Sequence, residues 1–288
     1  LVLAGSVRRV PLHLGLILPN YGEGLEAERL VACAVAAEES GFDSGWVTDH
    51  LVVPEEHAEI YGSLAEALVS LGFLAGRTQR LQLGVSALIV PARNPLVALK
   101  QLTTLDFLSG GRVVTAVAAG WMEGEFETLG APFAERGRLL DEWLDLAAAA
   151  FEQMPGRVRF QGELLSLDGW LAPPLVRRPE LWVAGVSKAT LRRAARTGVW
   201  HPVALSVEEL REVDFGAWTG LAWDDISPRF GISAYEWLAQ LDQGLIQDAE
   251  PISQFRARID VALQTLLAGP GGRTIAVVCH GGVIRMAL

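Results

Sequence analysis

Cysteine and lysine are both scarce in this sequence. Only Cys33 and Cys279 occur in 288 residues, which excludes the disulfide framework of a small secreted protein and favours a reduced, cytoplasmic one. Lysine occurs only at Lys100 and Lys188, so nearly all of the 24 basic residues are arginines. No run of about 18 uncharged residues occurs, so no membrane-spanning segment is predicted. The first ten residues are apolar and then basic, the reverse of the order in a secretory signal.

Positive charge is also in deficit. The formal net charge is −10, which argues against a general nucleic-acid binder, because such a protein needs a basic face for the phosphates. The net charge does not exclude binding of an anionic small ligand, since backbone N–H groups and one arginine can hold a phosphate. Asp224 and Asp225 have no third ligand at useful spacing, so no metal is predicted. We therefore expect a small-molecule substrate and no nucleic-acid or membrane partner, and we keep a homodimer open as the assembly.

Apolar strands and amphipathic helices alternate through the first two-thirds of the chain. Six strands are predicted, at 12–18, 44–50, 81–90, 112–120, 181–185 and 198–203. Helices are predicted at 25–40, 61–75, 95–108, 136–154 and 188–196, with a small hairpin at 157–169 that turns around Gln161-Gly162. Such repeated units imply a parallel sheet covered by helices, and six of them favour a (β/α) barrel over an open sheet.

The residues that follow the strands form the candidate site, because catalytic residues of such barrels lie at the carboxyl ends of the strands. Asp49 and His50 directly follow the second strand. A histidine there can move a proton near neutral pH and an adjacent carboxylate can tune it, or His50 can simply cap the next loop. Gly120 and Gly185 end two further strands, where glycine admits a flat ring or a phosphate or serves turn geometry alone. Ser86, inside the third strand, is by itself more typical of an ordinary sheet serine.

A resemblance to a known family rests on five motifs that occur in a fixed order. They are LGLILPNYG, GFDSGWVTDHLVVP, LGVSALIVPARNPLVALKQLTTLDFLSGGR, VAAGWMEGEFETLGAPFAERGR and LWVAGVSKATLRRAARTG. Together they resemble the luciferase-like monooxygenase superfamily over residues 12–203, and within it the branch that uses the deazaflavin coenzyme F-420. The resemblance implies an oxidoreductase that transfers a hydride between coenzyme F-420, or alternatively FMN, and a small organic substrate.

The same resemblance assigns roles to individual residues. It implies that a deazaflavin ring lies across the strand ends, with Asp49 and His50 as catalytic residues near its redox carbon. His50 would accept or donate the proton, and Asp49 would also contact the cofactor. It further implies a cis peptide bond between Ser86 and Ala87, where a bulge presses on the ring. The other implied cofactor contacts are at Ala119, Gly120, Gly185, Val186 and Ser187.

Two departures from the family pattern qualify that resemblance. Family members that oxidise sugar phosphates have a glutamate where this chain has Trp121. They also have a tryptophan in the loop that corresponds to residues 52–54, where this chain has none. A sugar phosphate is therefore not the expected substrate. The family's last two strands have no counterpart in residues 12–203. The predicted fold class is therefore α/β, an incomplete (β/α)8 TIM barrel of about six strands with two exposed edges.

A second resemblance covers the C-terminal part, where the strand–helix pattern changes. LREVDFGAWTGL and TIAVVCHGGVIR resemble the histidine phosphatase superfamily, which is phosphoglycerate-mutase-like, and EPISQFRARIDVAL matches its middle helix. The resemblance implies that His280 holds the phosphoryl group and that Glu212 protonates the leaving group. The sequence contains no Arg-His-Gly motif, which carries that family's nucleophile, so no phosphatase turnover is predicted.

These observations predict two domains and leave three functions open. Residues 1–203 form a truncated luciferase-like barrel and residues 204–288 a histidine-phosphatase-like fragment with a partial α/β/α fold. An oxidoreductase is the leading hypothesis, and a phosphatase is the alternative. Because no polar linker marks the join and both ends look cut, a non-functional fusion of two gene fragments is the third.

Overall fold

The structure is a computed structural model that describes residues 13–22, 25–202 and 211–267. The chain divides into two compact units, Leu1–Ala204 and Leu205–Leu288. Nowhere in the described ranges is a helix long and apolar enough to cross a membrane.

The first unit is built on a sheet of six parallel strands. In chain order, these strands are β1 (Gly15–Ile17), β2 (Ser44–Val47), β3 (Gln82–Ile89), β4 (Val113–Ala118), β7 (Glu180–Ala184) and β8 (Trp200–His201). They are neighbours in that same order, and every pair is parallel. The sheet curls into a half-barrel, which confirms the prediction of an incomplete α/β barrel.

The helices of the first unit lie on the outer face of this sheet or at its strand ends. They are α1 (Ala27–Glu39), α2 (Ala58–Tyr61), α3 (Ala67–Ala75), α4 (Pro95–Ser109), α5 (Glu123–Leu129), α6 (Arg136–Gln153) and α7 (Lys188–Thr197). Strand residues such as Val47, Leu83 and Val117 are fully buried against them in one core. Helix α4 shows how the sequence sets its bounds: Asn94 accepts from the N–H groups of its first turn, and Gly110 ends it in the left-handed conformation.

The inner face of the half-barrel is filled by aromatic rings. Trp46 of β2 and Trp182 of β7 have ring centroids 5.0 Å apart, and His201 of β8 lies 6.1 Å from Trp46. The indole of Trp46 lies over Gly84, where an added Cβ would be 2.3 Å from the ring, so only glycine fits beneath it. All three aromatic side chains are buried.

Two helix predictions need correction. The predicted helix at 61–75 is wrong in its first half, because α2 ends at Tyr61 and α3 begins only at Ala67. Glu66 causes the restart, since its carboxylate accepts from the N–H of Val69 and caps α3. Helix α5 was not predicted, because it has only seven residues and three of them are glutamates.

A separate antiparallel hairpin joins α6 to β7. Its strands are β5 (Gly156–Gln161) and β6 (Ser166–Leu171), paired from Gly156↔Leu171 to Gln161↔Ser166. The predicted hairpin is therefore present, but its turn spans residues 162–165 and is not centred on Gln161-Gly162. The turn is held from outside: the Glu142 carboxylate of α6 accepts from the N–H groups of Glu163 at 3.1 Å and Leu164 at 2.9 Å, and also from Leu165.

This carboxylate makes the stability of the hairpin pH-dependent. Burial alone would raise the pKa of Glu142, but hydrogen bonds from the Leu164, Leu165 and Glu163 N–H groups outweigh it and hold the pKa below its usual range. The stabilisation is present above the unfolded pKa and is lost as the pH falls through the folded pKa. Because this carboxylate is largely solvated, we expect Glu142→Gln to lower the free energy of unfolding by less than about 1 kcal/mol at pH 7 in urea unfolding, and by less still near pH 4. Glu152→Gln, on the exposed face of α6, should change little at either pH.

The described part of the second unit is helical. It contains α8 (Trp223–Phe230), α9 (Trp237–Asp242) and α10 (Ile252–Leu267), and α10 coincides with the predicted middle helix. Its small core is separate from that of the first unit and is made by Val213, Trp218, Ile226, Ala234, Leu241, Ile246, Phe255, Ile259 and Ala262. The predicted phosphatase-like motif TIAVVCHGGVIR lies outside the described residues.

Candidate functional site

The carboxyl ends of β2 and β3 are tied together by Asp49. Its carboxylate accepts from the backbone N–H of Ile89 at 2.8 Å and from Arg93 Nη2 at 2.6 Å. Arg93 also donates to Glu66 at 3.0 Å. Burial raises the pKa of Asp49, and the Arg93 guanidinium opposes that rise. Since both oxygens are engaged, this geometry favours a positioning role for Asp49 at the strand ends.

His50 forms a buried pair with a residue that the sequence analysis missed. Its Nδ1 lies 2.9 Å from Oε2 of Glu125 on α5, and the other Glu125 oxygen accepts from the Leu51 N–H at 2.6 Å. Burial alone would raise the pKa of Glu125, but the hydrogen bonds from His50 and from the Leu51 and Val52 N–H groups outweigh it and lower the pKa. An ionised Glu125 only accepts, so Nδ1 carries a proton and Nε2 is the nitrogen left for chemistry.

Aromatic rings flank the imidazole of His50 on two sides. Tyr61, at the end of α2, has its ring centroid 5.1 Å away. Trp121, directly after Gly120, has its ring 6.1 Å away and edge-on to the imidazole. His57 lies farther out, 4.8 Å from the Trp121 ring. Tyr61 and Trp121 form an apolar wall beside the imidazole of His50.

The third strand contains the irregularity that the family resemblance implies. The Ser86-Ala87 peptide bond is cis, and the pairing of β3 with β4 shifts register between Val85 and Leu88. Ser86 Oγ lies 2.9 Å from Nε2 of His201, which reaches across the inner face from β8. Burial lowers the pKa of His201, so this imidazole is neutral near pH 7. His201 had no predicted role.

The remaining predicted cofactor residues lie at the ends of β4 and β7. Gly120, after Ala119, has φ +88° and a Cβ there would lie 2.7 Å from Ile89 and Phe126, so only glycine fits. Gly185 has φ +123°, and the next residue, Val186, is exposed. Ser187 then caps α7 through a hydrogen bond from the Thr190 N–H at 3.1 Å. Both strand ends thus present backbone in conformations that favour glycine.

The second unit contains one of its two predicted phosphatase residues within the described ranges. Glu212 lies in a cleft with Asp214, Phe215 and Thr219, and its Oε1 accepts from the Val213 N–H at 2.9 Å. Its backbone carbonyl accepts from Arg258 at 3.0 Å. His280 lies outside the described residues, so the predicted pair stays a prediction.

One family model matches most of the chain. The model for luciferase-like monooxygenases matches residues 13–213, and the chain belongs to that family. The model for the histidine phosphatase superfamily, branch 1, matches residues 187–288. Both resemblances drawn from the sequence motifs are thereby confirmed.

Individual relatives agree on the family and differ in cofactor. The chain is 33% identical over 196 residues to an F-420-dependent glucose-6-phosphate dehydrogenase of Kineococcus radiotolerans, covering 65% of this chain and 55% of that protein. It is 34% identical over 125 residues to an FMNH2-dependent dimethylsulfone monooxygenase of Pseudomonas fluorescens, covering 42% and 34%. A monooxygenase structure from Streptomyces bottropensis shares the fold, with TM-score 0.63 at 18% identity over 96% of this chain and 97% of that one. The chain spans about half the length, or less, of these two curated relatives.

Proposed function

We propose that this protein is an oxidoreductase that exchanges a hydride between a deazaflavin or flavin cofactor and a small organic substrate. The observation that carries the proposal is the buried His50–Glu125 pair at the strand ends, which leaves one imidazole nitrogen free beside an apolar wall. Membership of the luciferase-like family supports it, because the relatives include F-420-dependent and FMNH2-dependent enzymes. We further propose that the protein acts in the cytoplasm, in keeping with its two cysteines.

The residues at the strand ends fit a planar cofactor. Gly120 and Gly185 have no side chain, so a flat ring can approach the backbone closely there. The β3 bulge at Ser86 and Ala87 reaches the same edge of the sheet. A phosphate of the cofactor would bind at the start of α7, where Ser187 and the first-turn N–H groups lie. Coenzyme F-420 is the first candidate and FMN the alternative. When bound, either supplies the two-electron acceptor or donor of the reaction.

His50 handles the proton in this proposal. When a hydride leaves a substrate carbon, the proton of the adjacent hydroxyl passes to Nε2 of His50, and a carbonyl remains. Glu125 fixes the tautomer and stabilises the imidazolium that forms. In the opposite direction the same nitrogen returns the proton to the carbonyl oxygen. Asp49 and Arg93 act through position, because they hold the strand ends on which His50 stands.

Cofactor titration tests the proposal directly. Purified protein titrated with coenzyme F-420 and, separately, with FMN should quench the fluorescence of one of them with a dissociation constant that reports a single site. His50→Asn should bind the same cofactor and lose turnover, whereas His13→Asn, an exposed histidine at the start of β1, should retain both. Binding of neither cofactor contradicts the proposal, and the tighter of the two identifies the cofactor.

The histidine phosphatase match supports a second candidate function. Residues 187–288 match that family's model, and Glu212 stands in a cleft of the second unit. Glu212 and His280 would act as acid and phosphoryl holder, as the resemblance implies. Because no Arg-His-Gly motif occurs in the sequence, we expect phosphate release to be undetectable, and we rank this function below the oxidoreductase.

A further inference from the structure

Two chain segments frame the free nitrogen of His50. One runs from residue 51 through α2 to residue 66, and the other from residue 119 through α5 to residue 130. They touch, since a Cβ added at Gly124 would lie 3.0 Å from Pro54, and His57 lies edge-on to Trp121. We call these two segments the rim. A substrate bound at His50 would lie beside them.

The rim leaves large apolar side chains open to solvent beside a buried histidine. Trp121 is 55% exposed although it contacts both His50 and His57. Ile60 is 58% and Val52 40% exposed on the facing segment. An indole that is held edge-on at one side and open at the other presents a flat face on which a ring can pack.

The charge of the rim has one sign. Residues 51–66 contain four glutamates and residues 119–130 contain three, and neither segment contains lysine or arginine. Glu66 is paired with Arg93, and Glu125 is buried and hydrogen-bonded to His50. The other five are exposed, namely Glu55, Glu56, Glu59, Glu123 and Glu127.

The nearby arginines offset only a small part of this charge for a ligand. Arg93 is nearly buried between Asp49 and Glu66. Arg136 donates to the carbonyls of Gly120 at 3.2 Å and Phe133 at 2.8 Å, and its guanidinium lies 3.7 Å over the Phe133 ring. An anionic substrate would therefore meet five carboxylates, and the two arginines next to the rim are already engaged.

We infer that the substrate carries an aromatic or other apolar ring that packs on Trp121 and carries no negative charge. The inference rests on the proposed function and narrows it to a substrate class. Ring packing on an exposed indole adds affinity without charge, and the rim repels anions before they reach His50. Trp121 is then a residue that determines specificity, and the exposed glutamates act as a filter.

Three probes with one ring and different charges test the inference. Benzyl alcohol, benzylamine and benzoate are titrated by calorimetry into protein that is saturated with whichever of coenzyme F-420 or FMN binds. At low salt we expect benzoate to bind at least about tenfold more weakly than benzyl alcohol, with the difference shrinking at high salt. Benzylamine should bind at least as well as benzyl alcohol, because the carboxylates and the indole face both favour a cation.

Variants distinguish the contribution of ring packing to probe affinity from the contribution of charge. Trp121→Ala should weaken benzyl alcohol about fivefold to tenfold. The control Trp170→Ala, a 76% exposed tryptophan on β6, should leave binding unchanged. Glu123→Gln combined with Glu127→Gln should narrow the difference between benzoate and benzyl alcohol. Cofactor affinity is measured in every variant and should stay constant.

Several outcomes overturn the inference. They are benzoate binding as tightly as benzyl alcohol, no binding of benzyl alcohol at saturating concentration, and equal effects of the Trp121 and Trp170 variants. A failure of the proposed function gives a different result from a failure of this inference, because neither cofactor then binds. In that case the probes, titrated into the protein alone, still show whether the rim selects against anions.

Discussion

We expect Glu125→Gln to slow the proposed hydride transfer about tenfold to a hundredfold, although this buried side chain acts only through His50. The amide no longer stabilises the imidazolium that forms when His50 takes the proton, and it no longer fixes which ring nitrogen carries hydrogen. His50→Asn removes the proton acceptor itself, and we expect a loss of about 10²- to 10⁴-fold. Single-turnover kinetics in cofactor-loaded protein measure both.

Cofactor affinity shows whether Glu125 acts through His50. In Glu125→Gln the rate should fall while the dissociation constant of the cofactor stays the same, because the amide supports the imidazolium less than a carboxylate does. A purely structural role would weaken cofactor binding together with the rate. Glu152→Gln on α6 is the carboxylate control and should match the original protein. An unchanged rate in Glu125→Gln would show that the pair has no part in proton transfer.

The second large effect concerns folding stability. Arg93→Met should lower the free energy of unfolding by about 3–5 kcal/mol, because it leaves the fully buried Asp49 carboxylate without its cation. Urea unfolding followed by circular dichroism measures the loss. Adding Asp49→Asn to Arg93→Met should recover part of it, since the charge that lacked a partner is gone.

Arg138→Met is the matched control for that experiment. Arg138 pairs with Glu135 and Glu163 as Arg93 pairs with Asp49 and Glu66, but its side chain is 59% exposed. We expect a much smaller change than for Arg93→Met, because this pair is solvated. If Arg93→Met costs no more than Arg138→Met, Asp49 is hydrated and does not depend on its cation.

The strands and the first half of the site follow from local sequence patterns. Apolar runs bounded by turns predict β2 and β3. Catalytic residues of such barrels follow the carboxyl ends of the strands, so once β2 is predicted, the polar pair Asp49 and His50 directly after it is predicted as well. The cis bond at Ser86-Ala87 matches what the motif resemblance implies. Residue propensities alone do not indicate a cis bond at this position.

The partners of these residues could not be predicted in the same way. Glu125 is 75 residues from His50, and α5 alternates its glutamates without an apolar stripe, so no periodicity singles out the one that turns inward. His201 lies on a strand of two residues, too short for alternation to show which face its ring takes. Both contacts depend on how distant strands are arranged in the curled sheet, which a linear pattern does not encode.

The tryptophan and histidine rings on the inner face give the half-barrel a solid floor. Trp46, Trp182 and His201 are buried together, and Gly84 leaves no room below the Trp46 indole. In the proposed function, cofactor and substrate would both bind above this floor, at the strand ends. A cofactor that lies next to the sheet would bind before the substrate and leave after the product, so we expect the proposed reaction to follow a compulsory order of addition.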